Sequence, residues 1–326
     1  MPEAELDAAE ARDVASVIGH LIDAGADQVL DGLDEAGWWE MWAEAPSAYA
    51  ALYFATEGHR GVITPALAGF VLRLLGVADP AIDTGVLLGM GPTGLAGQRR
   101  AGGDVEVEGA VFAAPGATQL VCPVRSGPGI ALARWPLPGA LRFGEAGDEP
   151  PGRLRLAAGT SDLEPLVACD EHWDEAWRFA RLAWSTQMLS MADEHLEAAR
   201  EHCIEREQFG RPIASFQAVK HHLAQVKVAV EAARAVVRWA WNEGTEGAVL
   251  SAKALAVRAY LEAHNRGMHV MGGMGYSREH AIGRFHRVGL ALEALGGTTR
   301  QCEEMLARLA ISSPSALRSP EIAGPA

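Results

Sequence analysis

The sequence predicts an α+β chain in three parts: a reduced N-terminal helical domain, a small β domain and a C-terminal four-helix bundle. Three observations carry that prediction. Residues 5–75 are rich in Ala, Leu, Glu and Asp and break near Gly32, Gly37 and Pro46, as several short helices do. Between residues 80 and 160 glycine and proline become dense and the helical period disappears. From about residue 170 to 311 apolar residues recur at helical spacing almost without interruption. The expected boundaries are 1–78, 79–165 and 166–312, followed by a flexible tail over 313–326 that contains prolines and serines.

Each part can be justified from its residues. In the first, Leu33 to Trp39 reads as a helix end followed by an aromatic turn that packs on a neighbour. In the second, Val105, Val107, Val111 and Phe112 are spaced for a strand pair around Glu108-Gly109. Leu120–Val124, Ile130–Trp135 and the alternation of Leu154 and Leu156 with arginines add strands to an antiparallel domain. In the third, Trp177, Trp184, Met188 and Met191 share a helix face and read as core. Phe216, Val219, Leu223, Val226, Val230 and Val237 mark a second helix, and Ala252, Ala256, Ala259 and Ala263 give a third a small-residue face. A fourth begins near Ile282 and is interrupted at Gly296-Gly297-Thr298.

Composition excludes several classes of function. A formal net charge of -14 leaves no basic surface for nucleic acid. Cys122, Cys169, Cys203 and Cys302 have no CxxC spacing and read as reduced, buried thiols. His221, His222, His264, His269, His280 and His286 lack carboxylate or cysteine partners at ligand spacing, so no metal site is expected. The acidic start MPEAELDAAEARD has no signal-peptide core, and no run reaches the ~18 apolar residues of a membrane span. A cytoplasmic location without a membrane partner is the expectation.

Three short segments carry chemical information. Arg206 to Ile213, followed by Phe216-Gln217, ends one helix at Phe209-Gly210, turns through Pro212 and starts another, and an arginine at such a break suits a diphosphate. His269 to His280 holds three glycines in four residues, which lets a backbone approach a ligand closely. Gly296 to Arg300 breaks a helix and restarts it with an N-terminus suited to an anion. Taken singly, each is equally an ordinary interhelical turn.

Taken together, in this order and spacing, they resemble the acyl-CoA dehydrogenase family. The stretches REQFGRPIASFQAVKHHLA and HVMGGMGYSREH and the segment from Arg287 to Thr298 are the most specific, over residues 170–311. The likeness is weaker over 33–75 and DVEVEGAVFAAPGATQLVCPV. The resemblance implies a helical domain, a β domain and a bundle enclosing FAD and an acyl-CoA. It implies that Arg206, Gln208, Phe209, Phe216 and Gln217 touch the adenosine-diphosphate part of FAD held by a neighbouring subunit. Gly272 and Gly273 would continue that contact beside His269, which stands where the family usually has glutamine. Thr298 matches a residue that contacts FAD in its own subunit, and Arg300 replaces a usual glutamine.

The chain departs from the family where the chemistry needs a base. The usual glutamate precedes the Gly-Thr of the third segment, and here that position is Gly296. A minority of members place the base about 26 residues before the first arginine of the first segment, where this chain has Ala180. Neither residue can take a proton, so no catalytic residue is assigned. Glu175 and Glu293 are weak substitutes. The flavin-lining Thr-Glu-Pro-x-x-Gly-Ser-Asp-like stretch is replaced by Gly89–Gly97, which has no acid. Positions that serve a neighbour's flavin are kept while those of a self-contained site are lost. The chain thereby resembles the non-catalytic (β-type) subunit of actinobacterial heterotetrameric steroid-CoA dehydrogenases. A catalytic acyl-CoA dehydrogenase partner in an α2β2 assembly, holding most of the acyl-CoA, would complete it. A self-sufficient homotetramer with a displaced base and a flavin-free scaffold subunit are the alternatives.

Overall fold

The computed structural model describes residues 6–25, 29–60, 66–77, 84–99, 105–113, 117–137, 153–158, 167–272 and 281–313. Helices α1 (Ala8–Ala24), α2 (Val29–Glu35), α3 (Trp38–Glu44), α4 (Pro46–Arg60) and α5 (Ala66–Leu74) come first. Gly37 adopts φ +65 between α2 and α3, so Trp38 and Trp39 are helical and not the expected turn. Gly32 lies inside α2 and is not a break. A Cβ there would sit 2.3 Å from Leu21, so the glycine lets α1 close on α2. Phe70 on α5 stands at the centre of an edge-to-face cluster, with ring centroids 5.2 Å from Trp39, 5.5 Å from Trp42 and 5.7 Å from Tyr53. Phe54 and Phe179 also pack on it, each at 5.4 Å, and because Phe179 belongs to the bundle this cluster fastens the first helices to the last.

The sheet contains β1 (Thr84–Leu88), β2 (Gly97–Arg99), β3 (Val105–Phe112), β4 (Gln119–Ser126), β5 (Gly129–Pro136), β6 (Arg153–Ala158) and β7 (Val167–Ala168). Two expectations are corrected. Val105 to Phe112 is one continuous strand, paired on one side with β6 and on the other with β1 and β2. Gly109 is needed because a Cβ would lie 2.2 Å from the Leu88 carbonyl oxygen, not because the chain turns there. The sheet is also mixed, because β1 and β2 both run parallel to β4. The two short strands share one position between β3 and β4: Leu88 opposes Ala110 and Gly97 opposes Val107. The loop 89–96 therefore leaves the sheet in mid-strand, closed by a hydrogen bond from Gly89 N to Gly94 O. It projects onto the bundle.

The bundle comprises α6 (Asp170–Glu205), α7 (Gln217–Glu243), α8 (Glu246–Met271), α9 (Ala281–Ala294) and α10 (Thr299–Ser312). The expected fourth helix is thus α9 and α10, separated at the Gly296-Gly297 break. Helices α6 and α8 run parallel, since Arg181 meets Glu246 and His195 meets His264. Helix α7 is antiparallel to α6, pairing Arg234 with Asp193 and Trp241 with Thr186. Helix α9 runs back along α8, where His264 stacks on His286 at 4.5 Å and the Tyr260 hydroxyl donates to Phe285 O at 2.8 Å.

The four cysteines are free and buried, as expected. Among the described residues no group of three or more His, Cys, Asp or Glu is arranged to hold a metal ion. Nor is any helix among them long and apolar enough to cross a membrane. Gly273, His280 and the tail beyond residue 313 lie outside the described residues.

Two packing features yield predictions. Gly58 brings α4 against α6, where a Cβ would lie 2.5 Å from the Gln187 carbonyl oxygen. Gly58→Ala should destabilise the chain by about 1–2 kcal/mol in urea unfolding, because overpacking against backbone exceeds the helix-propensity gain. A stability gain would contradict this packing. Lys253 is fully buried and donates to Leu292 O in the last turn of α9. Desolvation pushes its pKa down to about 7 from an unfolded value of 10.5, with Cys302 acting in the opposite direction. Between those values the unfolded chain binds more protons, so stability from this group rises with pH from about 7 to about 10.5. Urea midpoints measured across that window should rise less steeply in Lys253→Met than in the wild type.

Candidate functional site

The residues singled out by sequence fall at two ends of α6. At its C-terminal end, Arg206 leaves helical space with φ -76 and ψ 117. Its carbonyl accepts from Ile213 N at 2.8 Å, closing the loop that follows. Within that loop β8 (Glu207–Gln208) pairs with β9 (Arg211–Pro212) as a two-residue hairpin. Phe209 at φ 55 and Gly210 at φ 75 both occupy the left-handed region, the requirement of a type I′ turn. Glycine meets that requirement freely, whereas phenylalanine there is strained. The Phe209 side chain at this turn is 92% exposed.

The hairpin is braced from behind. The guanidinium carbon of Arg211 stands 4.2 Å from the centroid of the Phe216 ring, and Phe209 meets the same ring edge-on at 6.2 Å. Phe216 is the residue before α7, and Gln217 opens that helix. Gln208 donates its side-chain amide to Glu207 O at 2.8 Å. Arg206 is exposed and, among the described residues, pairs with no carboxylate.

The end of α8 arrives at the same place, because α8 is parallel to α6. His269 is exposed in its last turn, with its ring 5.5 Å from that of His222 on α7. Arg266 donates to His222 Nδ1 at 2.6 Å, so this nitrogen is the acceptor. Gly272 follows with φ 60 and ψ -138, a conformation for which glycine is suited. Arg206, Gln208, Phe209, Phe216, Gln217, His269 and Gly272 are thus gathered on one end of the bundle. An exposed guanidinium, amide and aromatic ring can grip an anionic, ring-bearing molecule presented by another body. Arg211, His222 and Arg266 complete this end. Sequence reasoning passed over the roles of Arg211, His222 and Arg266, and the only available signal was the Arg-Pro following Gly210.

The other end is built differently. Gly296 and Gly297 have φ 77 and 98 and lie between α9 and α10. Thr298 caps α10 through a reciprocal capping box with Gln301, and Arg300 pairs outward with Glu304 at 2.9 Å. Arg181 on α6 is 1% exposed and donates to Gly296 O at 2.9 Å, to Glu246 at 2.6 Å and to Pro92 O. Of the two positions that could carry a base, Gly296 stands where a Cβ would lie 3.0 Å from the Arg181 side chain, and Ala180 is the fully buried residue before Arg181. No titratable group stands at either. Glu175 is exposed on α6, and Glu293 is half-buried in the last turn of α9.

From Arg181 to Glu205 the helix is unbroken, and at ~1.5 Å per residue the two ends are ~36 Å apart. One chain cannot bring both ends to the same flavin. FAD, the cofactor of the family resembled, fits the donor set of the exposed end. It does not fit the buried end, where Pro92, Trp177 and Arg181 are already in mutual hydrogen-bond contact.

Comparison with known proteins agrees with this architecture. Residues 174–310 match the family model "Acyl-CoA dehydrogenase, C-terminal domain". A glutaryl-CoA dehydrogenase of Desulfococcus multivorans is 34% identical over 133 residues, covering 39% of this chain and 34% of that protein. The chain spans less than half the length of the curated relatives of this kind. Among solved structures, the ChsE4-ChsE5 complex of Mycobacterium tuberculosis superposes with a TM-score of 0.68 at 20% identity, covering 97% of this chain and all of the matched one. The Tcur3481-Tcur3483 steroid ACAD gives a TM-score of 0.69 at 20% identity, covering 94% of this chain and 99% of the matched one. The chain has the acyl-CoA dehydrogenase fold, and its bundle matches that family's C-terminal domain.

Proposed function

We propose that this chain is a non-catalytic, β-type subunit of a heteromeric, FAD-dependent acyl-CoA dehydrogenase. The observation that carries the reading is the split between the ends of α6. The positions open to a base hold Gly296 and Ala180, while Arg206, Gln208 and Phe209 stand exposed, Arg206 with no carboxylate partner among the described residues. The likeness to the ChsE4-ChsE5 complex and to the Tcur3481-Tcur3483 steroid ACAD supports a partner subunit and a steroid substrate, here taken as an α2β2 complex acting on a CoA thioester of a steroid side chain.

The reaction is α,β-desaturation of the acyl-CoA. The thioester acidifies the α-hydrogen, a glutamate of the catalytic partner removes it, and bound FAD supplies the acceptor for the hydride leaving the β-carbon. The acyl-CoA lies mainly in that partner. This chain's residues bind and orient. Arg206 and Gln208 would hold the diphosphate of the partner's FAD, Phe209 and Phe216 would offer it aromatic surface, and Gln217, His269, Gly272 and Gly273 would close around the nucleotide end. Thr298 marks the family position at the far end, where its hydroxyl is engaged in capping.

Arg206→Ala in the purified complex tests the reading. Losing one charge-assisted hydrogen-bond donor costs about 1.5–3 kcal/mol, so flavin should be held about tenfold or more weakly. Unchanged flavin retention and turnover would favour a flavin-free scaffold instead. Stoichiometric flavin and dehydrogenase turnover in the chain purified alone would favour the self-sufficient enzyme.

A further inference from the structure

The loop 89–96 and the turn at Gly296 are the two surfaces between which the family likeness puts a crevice for flavin and acyl-CoA. We infer that in this chain the crevice is sealed by the stacked pair Trp173–Trp177, which excludes an acyl-CoA and a flavin ring alike. The inference rests on the partner reading and adds a physical cause at this chain's own site.

The two indoles lie one turn apart on α6, with centroids 5.7 Å apart and planes 13° from parallel. They are 2% and 5% exposed. Their N–H groups point at the loop and not into the bundle: Trp173 Nε1 donates to Thr93 O at 3.2 Å and Trp177 Nε1 to Pro92 O at 2.9 Å. Arg181 donates to the same Pro92 oxygen and to Gly296 O, so loop, helix and turn form one hydrogen-bonded unit. The loop meets the Trp177 ring too closely to admit a side chain at Gly94. A Cβ on Gly94 would lie 2.5 Å from the Trp177 ring, and one on Gly297 would lie 3.4 Å from Pro92. A planar ring or acyl chain between two surfaces needs them about 7 Å apart, one contact of about 3.5 Å on each side. Since a Cβ stands about 1.5 Å from its Cα, the Gly297 Cα lies within about 4.9 Å of Pro92, short of that separation. Trp184 backs the pair edge-on at 5.5 Å from Trp177, leaving no room for the indoles to retreat into the core.

Acrylamide quenching of tryptophan emission in the intact complex tests the seal. The reference is the same complex carrying Trp173→Phe and Trp177→Phe, which keeps aromatic packing, and the difference between the two isolates the pair. The difference emission should resist acrylamide and should stay unchanged when octanoyl-CoA is added. In Trp177→Ala the remaining Trp173 should become quenchable. Wild-type difference emission quenched as readily as that of a free indole, or altered by octanoyl-CoA, overturns the seal. The two readings separate cleanly. A quenchable pair in a complex whose Arg206→Ala form loses flavin overturns the seal alone. Flavin retained by Arg206→Ala overturns the partner reading whatever the quenching.

Discussion

Everything functional in this chain depends on the length and straightness of α6. Its 36 residues contain no proline and no glycine, and they hold two sets of residues ~36 Å apart at the opposite ends of one rod. Because α8 runs parallel to it, the same polarity is imposed twice: the start of α8 joins the buried end through Glu246, and its finish joins the exposed end through His269. A flavin dinucleotide cannot be served by both ends of one copy. Under the proposed reading, a second subunit supplies what the exposed end faces.

The two ends have opposite physical character. At the buried end the donors that face the loop 89–96 are used within the chain, while the Trp184 indole N–H is buried without a partner among the described residues. Arg181, Trp173 and Trp177 spend their N–H groups on carbonyls of the loop 89–96 and of Gly296. Those shared acceptors tie the loop, the helix and the turn together. At the exposed end the chain does the reverse, holding Phe209 at positive φ and leaving Arg206 unpaired among the described residues. A strained backbone costs stability in a surface that meets only water, and beside an exposed arginine it becomes useful in one that meets an anionic ligand. The interrupted strand makes this division possible. By splitting one sheet position into β1 and β2, the fold pushes Pro92 and Thr93 out to meet α6 without lengthening the sheet.

Much of this was legible in the sequence because it is local. The bundle helices follow from the spacing of apolar residues. The turn at Phe209-Gly210 follows from glycine and proline, whereas the placing of Gly296 and Ala180 at base positions comes from the family resemblance alone. What was illegible is non-local. Glu108-Gly109 looks like a hairpin turn, yet pairing on both edges keeps β3 extended and assigns the glycine to the Leu88 carbonyl. The Trp177 stripe read as core, which is half of the truth: its indole N–H reaches a carbonyl 85 positions away in sequence, and no periodicity encodes that. Likewise, the brace of Arg211 on Phe216 and the contact of Arg266 with His222 depend on how helices return to one another.

The central claim is that this chain serves a flavin it does not itself carry. Counting FAD in the complex purified with its catalytic partner tests that most directly. The account predicts two flavins per four chains, with none in this chain purified alone. Four flavins per four chains would contradict it.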